Sequence, residues 1–235
     1  IKKEYGYNFE RFKYFAGHSL GEYSALACNG AISFEDALRI LQKRGRFMQE
    51  AIPDGEGGML VALGISSEEI QKILDGTNNT YECYIANDNS KSQVVLSGLI
   101  KDIDLLSKDL ESKKIKNIKL NVSAPFHCKY MKSASDKMTS FINNLKITKL
   151  NKPIISNVTA KEVYSPEQIK TLLISQIEKK VRWLESVEYM INNGIKNFVE
   201  IGPGKVLSGL IKRINKDVNV KSINNEEDIK LLLND

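Results

Sequence analysis

The sequence predicts an α/β fold in which a larger α/β domain is interrupted by a smaller βαββαβ unit. Three observations carry that prediction. An apolar stretch, a glycine-rich turn and a helical pattern follow one another over residues 12–29. Residues 57–122 then alternate strand and helix patterns in the order of a ferredoxin-like unit. Near the end, "KNFVEIGPGKVLSGLIKRI" repeats the strand, tight turn and helix.

The elements follow in order. "FKYFA" (12–16) reads as a short buried strand, 17–21 as a turn, and 22–29 as a helix stopped by Gly30. Ser33 is placed to cap the next helix, with acids in its first turn to suit the helix dipole. "GMLVALG" reads as strand, "SSEEIQKILDG" as a capped helix, "YECYIAN" and "SQVVLSG" as strands, "LIKDIDLLSKDLESK" as helix and "IKNIKLNV" as strand. The insert is therefore placed at 57–122, between 1–56 and 123–235 of the larger domain, with Gly55, Gly57 and Gly58 as its hinge. A helix after "SAPFHCKYM", a strand at "KPIISNV" and one helical stretch over about 166–193 complete the pass.

Composition narrows the functional classes. Of 235 residues, 42% are hydrophobic and 27% charged, a globular profile with enough apolar material for a sizeable core. No apolar run approaches the roughly 18 residues of a membrane helix. Three widely spaced cysteines fit a reduced compartment and neither a disulfide framework nor a zinc site, so no metal is expected. The cytoplasm is the expected location, with the plastid stroma as alternative. A net charge of +5 permits acidic partners, but no basic run interleaved with aromatics marks a nucleic-acid binder. The chain opens on Ile with no signal-like block, so a fragment of a longer protein is expected.

"GHSLG" (17–21) fits G-x-S-x-G, and its flanks supply the strand and the helix that such a nucleophile turn needs. The plainer reading is a glycine-rich connection with a solvated serine. A serine hydroxyl needs a base to take its proton. Only two histidines exist; His18 adjoins Ser19, and adjacent side chains diverge, so packing or a hydrogen bond beneath the turn suits it better. Elimination leaves His127, in "SAPFHCKYM", as the base. A histidine this early in the chain argues against a plain lipase or esterase.

On the helix from Ser33 to about Ala51, Ala37, Leu38, Leu41, Met48 and Ala51 share one face, and Arg44 falls inside that apolar stripe. A buried guanidinium requires an anion. Either an internal acid or a substrate carboxylate held by two parallel bonds would serve.

"GHSLGEYSALACNGAISFEDAL", "RGRFMQEAIP", "QVVLSG", "FHCKYMKSA", "SNVTA", "VRWLESVEYM" and "EIGPGKVLSGL" resemble the malonyl-CoA:acyl-carrier-protein transacylases of type II fatty acid synthesis, over nearly the whole chain. The resemblance implies an α/β-hydrolase-like large domain with a ferredoxin-like insert. It implies that Ser19 is acylated, His127 is the general base, Arg44 binds the malonyl carboxylate, and the Leu20 backbone N–H serves the oxyanion hole. Gln176 would orient the histidine through its main-chain carbonyl, leaving no triad acid. It also implies ping-pong transfer of malonyl from malonyl-CoA to the phosphopantetheine thiol of an acidic acyl carrier protein, by a cytoplasmic monomer with no bound cofactor. Phe126 would disfavour an α-methyl group. Lys113, Lys114, Lys116, Lys119, Lys179, Lys180, Arg182, Lys205, Lys212 and Arg213 are candidate docking charges, although lysine runs are usually solvated faces. Polyketide synthase acyltransferase domains share the scheme, and a serine thioesterase would use the same pair of residues.

One departure stands out. The family carries a "GQGSQ"-type motif well before the serine, and nothing like it occurs in residues 1–18. Loss of the oxyanion donor it supplies costs on the order of 3 kcal/mol. Weak activity and poor folding are therefore expected of this stretch alone.

Overall fold

The computed structural model describes residues 2–7, 9–77 and 80–233. A short helix α1 (Lys2–Tyr5) precedes β1 (Phe15–Ala16), α2 (Leu20–Asn29) and α3 (Phe34–Gln49). The strand expected over 12–16 forms only at its last two residues. Gly30, at φ 80°, ends α2, and the Ser33 side chain caps α3 by accepting from the Asp36 N–H at 3.0 Å.

The four-stranded unit comprises β2 (Gly57–Leu63), α4 (Ser67–Asp75), β3 (Cys83–Ser90), β4 (Gln93–Leu99), α5 (Ile100–Ser112) and β5 (Lys116–Lys119). Its sheet runs β3-β4-β2-β5, all antiparallel. The central strand β2 is buried along nearly its whole length. Leu60 and Leu96 meet Ile70 of α4 and Ile103, Leu106 and Leu110 of α5 in a core of their own. The i, i+3, i+7 spacing of the α5 residues puts them on one helix face. Ser66 and Glu69 form a reciprocal capping box at the start of α4.

The rest of the chain supplies α6 (Lys132–Asn143), β6 (Ile154–Ile155), β7 (Glu162–Val163), α7 (Pro166–Gln176), α8 (Trp183–Asn192), β8 (Asn197–Ile201), α9 (Val206–Ile214), β9 (Asn219–Ile223) and α10 (Glu226–Leu233). β1 pairs with β6 in parallel, and β6 with β7 in antiparallel. β8 and β9 form a second parallel pair. The main core gathers Tyr23 and Leu26 of α2, Ala37, Ile40 and Met48 of α3, Met138 and Ile142 of α6, Ile154 and Leu173.

Two expectations need correction. The stretch 166–193 is two helices, not one. Val181 leaves helical geometry because its N–H donates to the Ala86 carbonyl and its carbonyl accepts from the Asp88 N–H, stitching the chain to β3. Leu38 is 53% exposed, and the buried face of α3 is Ala37, Ile40, Arg44 and Met48. The stripe is turned slightly from the one expected, with Arg44 still inside it.

Candidate active site

The parallel pairing of β1 and β6 brings their C-terminal ends side by side. Ser19 follows one strand and Asn157 the other, at the edge where open α/β sheets hold their ligands. The turn between β1 and α2 is tight. A Cβ added at Gly17 would lie 1.9 Å from the Gly21 carbonyl oxygen, so only glycine fits there. Ser19 itself sits at φ 52°, a left-handed conformation held by bonds from Gly21 N–H to the His18 carbonyl and from Glu22 N–H to the Ser19 carbonyl. Asn157 clamps the turn: its Oδ1 accepts from the Ser19 N–H at 2.7 Å and its Nδ2 donates to the Gly17 carbonyl at 2.7 Å.

His127 is presented by a second constrained loop, also at positive φ (59°). Its Nε2 lies 2.7 Å from Ser19 Oγ, and its Nδ1 lies 2.8 Å from the Gln176 main-chain carbonyl. A carbonyl can only accept, so the ring proton belongs on Nδ1 and Nε2 is left to accept from the serine. Arg44 reaches in from α3. Its Nη2 donates to Ser19 Oγ at 2.9 Å and to the Gln176 side-chain Oε1 at 3.0 Å. An imidazole and a guanidinium thus converge on one hydroxyl oxygen. The Leu20 N–H, at the first position of α2, makes no hydrogen bond among the described residues. A cleft of about 560 Å³ opens between the four-stranded unit and the larger body, with His127, Glu82, Tyr84, Lys129, Lys179 and Lys180 in its wall.

Residues 4–228 match the family model described as acyl transferase domain. The malonyl CoA-acyl carrier protein transacylase of Bacillus subtilis (strain 168) is 41% identical over 220 residues, 93% of this chain and 69% of that protein. The chain belongs to the malonyl CoA-acyl carrier protein transacylase family. The Staphylococcus aureus (strain MRSA252) transacylase is 39% identical over 218 residues, 91% of this chain and 70% of that one. Among solved structures, the acyl-carrier-protein S-malonyltransferase of Bartonella henselae superposes with TM-score 0.93 at 38% identity, covering 97% of this chain and 74% of that chain. A malonyl-transacylase solved in complex with a type II PKS acyl-carrier protein superposes with TM-score 0.90 at 36% identity, covering 95% and 73%.

Electrostatics in this acyltransferase follow from burial. His127 is almost fully buried, and burial together with the Arg44 charge pushes its pKa down to about 3, so the imidazole is neutral near pH 7. Glu22, on the first turn of α2, is 3% exposed, and burial pushes its pKa up to about 7 against the opposing pull of hydrogen bonds and Arg44. Its Oε2 accepts from Gln176 Nε2 at 2.7 Å and from the Asn157 N–H at 3.2 Å.

Sequence reasoning gave no role to Glu22 or Asn157, although "SNVTA" was among the matching segments. The available signal for Glu22 was its spacing of four from Leu26, which places an acid on the buried face of α2. His18 is turned away from the serine, with Nε2 2.8 Å from Asn89 Oδ1 and its ring against Trp183. Several of the expected docking charges have internal partners: Lys113 pairs with Asp109, Lys119 with Asp104 and Arg182 with Glu185. Lys179, by contrast, stands exposed at the cleft.

Proposed function

We propose that this acyltransferase moves a malonyl group from coenzyme A to the pantetheine thiol of an acyl carrier protein, through a malonyl ester of Ser19, in fatty acid biosynthesis. The observation that carries the reading is the double contact on Ser19 Oγ, from the base on one side and the guanidinium on the other.

The first half-reaction begins as the malonyl carboxylate engages Arg44. That anion offsets the cationic charge that depresses His127, so the base gains basicity as the substrate arrives. His127 Nε2 takes the Ser19 proton as Oγ attacks the thioester carbonyl. The Leu20 N–H, at the N-terminus of α2, faces the developing oxyanion. The C–S bond then breaks, and the departing thiolate takes the proton from the imidazolium. In the second half, His127 deprotonates the carrier thiol, which attacks the serine ester; Ser19 leaves and recovers the proton. The Gln176 carbonyl supports the imidazolium in place of a triad acid.

The larger body acts as an α/β-hydrolase-like domain (1–56 and 123–235) and 57–122 as a ferredoxin-like insert, a reading supported by the β5-β2-β4-β3 strand order and the separate core of that unit. The exposed Lys179 at the cleft suits an acidic carrier or the phosphates of coenzyme A, whereas Lys129 and Lys180 beside it pair with Glu82 and Asp88. The test is the fate of the isolated malonyl-enzyme. Rapid discharge to the thiol of a holo carrier, with slow loss to water, is expected; the reverse order makes the protein a thioesterase.

A further inference from the structure

Arg44 and Glu22 are joined through one neutral group. The Gln176 side-chain carbonyl accepts from Arg44 Nη2 at 3.0 Å, and the amide nitrogen donates to Glu22 Oε2 at 2.7 Å. That nitrogen also donates to the Ser19 carbonyl at 3.1 Å. The amide dipole therefore lies with its oxygen toward the cation and its N–H₂ toward the anion, and reversing it would oppose both charges. Gln176 and Glu22 are both buried, and the mechanism above uses neither side chain.

We propose that Glu22 is a specificity-setting positioning residue: it is the internal counter-anion of Arg44, holds that guanidinium through Gln176, and competes with the acyl carboxylate for its charge. The inference rests on the reading of Arg44 as the carboxylate-binding group. In the empty site, at pH above about 7, the ionised Glu22 carboxylate balances Arg44. When an acidic acyl group binds, two anions share one cation. The carboxylate is then held tightly enough to select it and loosely enough to release the product. The ionisable groups acting on Glu22 are Arg44 from α3 and Tyr23 beside it on α2; Gln176 and Asn157 contribute only hydrogen bonds.

The experiment compares KM for malonyl-CoA and acetyl-CoA in the wild-type protein, Glu22→Gln and Arg44→Ala. Glu22→Gln retains a side-chain oxygen to accept from Gln176 and Asn157 while removing the charge. The malonyl-to-acetyl KM ratio is expected to fall at least tenfold, the effect that one unit charge exerts from about 12 Å at an effective dielectric near 20. A ratio that is unchanged, or that rises, overturns the proposal; a simple structural role would move both substrates alike. A second arm needs no variant. Because the Glu22 pKa lies at about 7, lowering the pH from 8 to 6 protonates it, and the wild-type ratio should fall over that range. The coenzyme A phosphates are common to both substrates and cancel. A flat wild-type ratio also overturns the proposal. Arg44→Ala separates the two readings: if it leaves acyl preference intact, the assignment of Arg44 fails and this inference with it. If it abolishes the preference while Glu22→Gln shifts nothing, only the role of Glu22 is lost.

Discussion

Replacing Arg44 by alanine removes the one cation that touches Ser19 Oγ among the described residues. Arg44 is 6% exposed, so its attraction for a carboxylate is poorly screened by water. Two unit charges about 4 Å apart at an effective dielectric near 20 attract by about 4 kcal/mol, which corresponds to roughly a thousandfold in kcat/KM. Acetyl transfer has no carboxylate to lose. It forfeits only the hydrogen bond to the Ser19 hydroxyl, on the order of tenfold. The variant should still fold near pH 7, since Glu22 can take up a proton once its cation is gone. Initial rates of carrier acylation from malonyl-CoA and acetyl-CoA give the comparison. Equal losses for the two substrates would refute the reasoning, because they would show that Arg44 serves only the serine or the fold.

Two further outcomes follow. Gly17→Ala drives a Cβ into the Gly21 carbonyl at 1.9 Å, so the nucleophile turn must open; a loss of about 3 kcal/mol in stability by denaturant unfolding, with activity falling below a hundredth, is expected. For the pH dependence, a depressed pKa means that the His127 imidazole stays unprotonated as the solution is acidified. The kcat/KM profile for acetyl-CoA should therefore show no histidine ionisation near 6.5 and keep its acid limb well below that, toward about 3. A limb centred at 6.5 would place His127 in water rather than against Arg44.

Much of this architecture was legible locally. Ser33 and Gly30 marked helix ends because capping chemistry is written in adjacent residues. The order of the 57–122 unit was readable because each of its elements carries its own period. The break at 177–182 was not, since it depends on Val181 pairing with a strand almost a hundred residues away. Strands β7 and β9 and helix α10 were also missed; β7 has two residues and β9 follows a turn with no glycine to announce it. Ser19 was legible from the G-x-S-x-G turn between a strand and a helix, His127 by elimination between two histidines, and Arg44 because a guanidinium is out of place in an apolar stripe. Glu22 and Asn157 were missed because an acid in a first helical turn and an asparagine after a strand look ordinary. Their partners lie more than 130 residues distant.

The most direct measurement is peptide mass mapping after brief incubation with malonyl-CoA, in the wild-type protein and in His127→Ala. A single malonyl group on the peptide containing Ser19, formed at least a thousandfold more slowly without His127, is the expected result. Acylation at another residue, or labelling of Ser19 that ignores the loss of His127, would contradict the site described above.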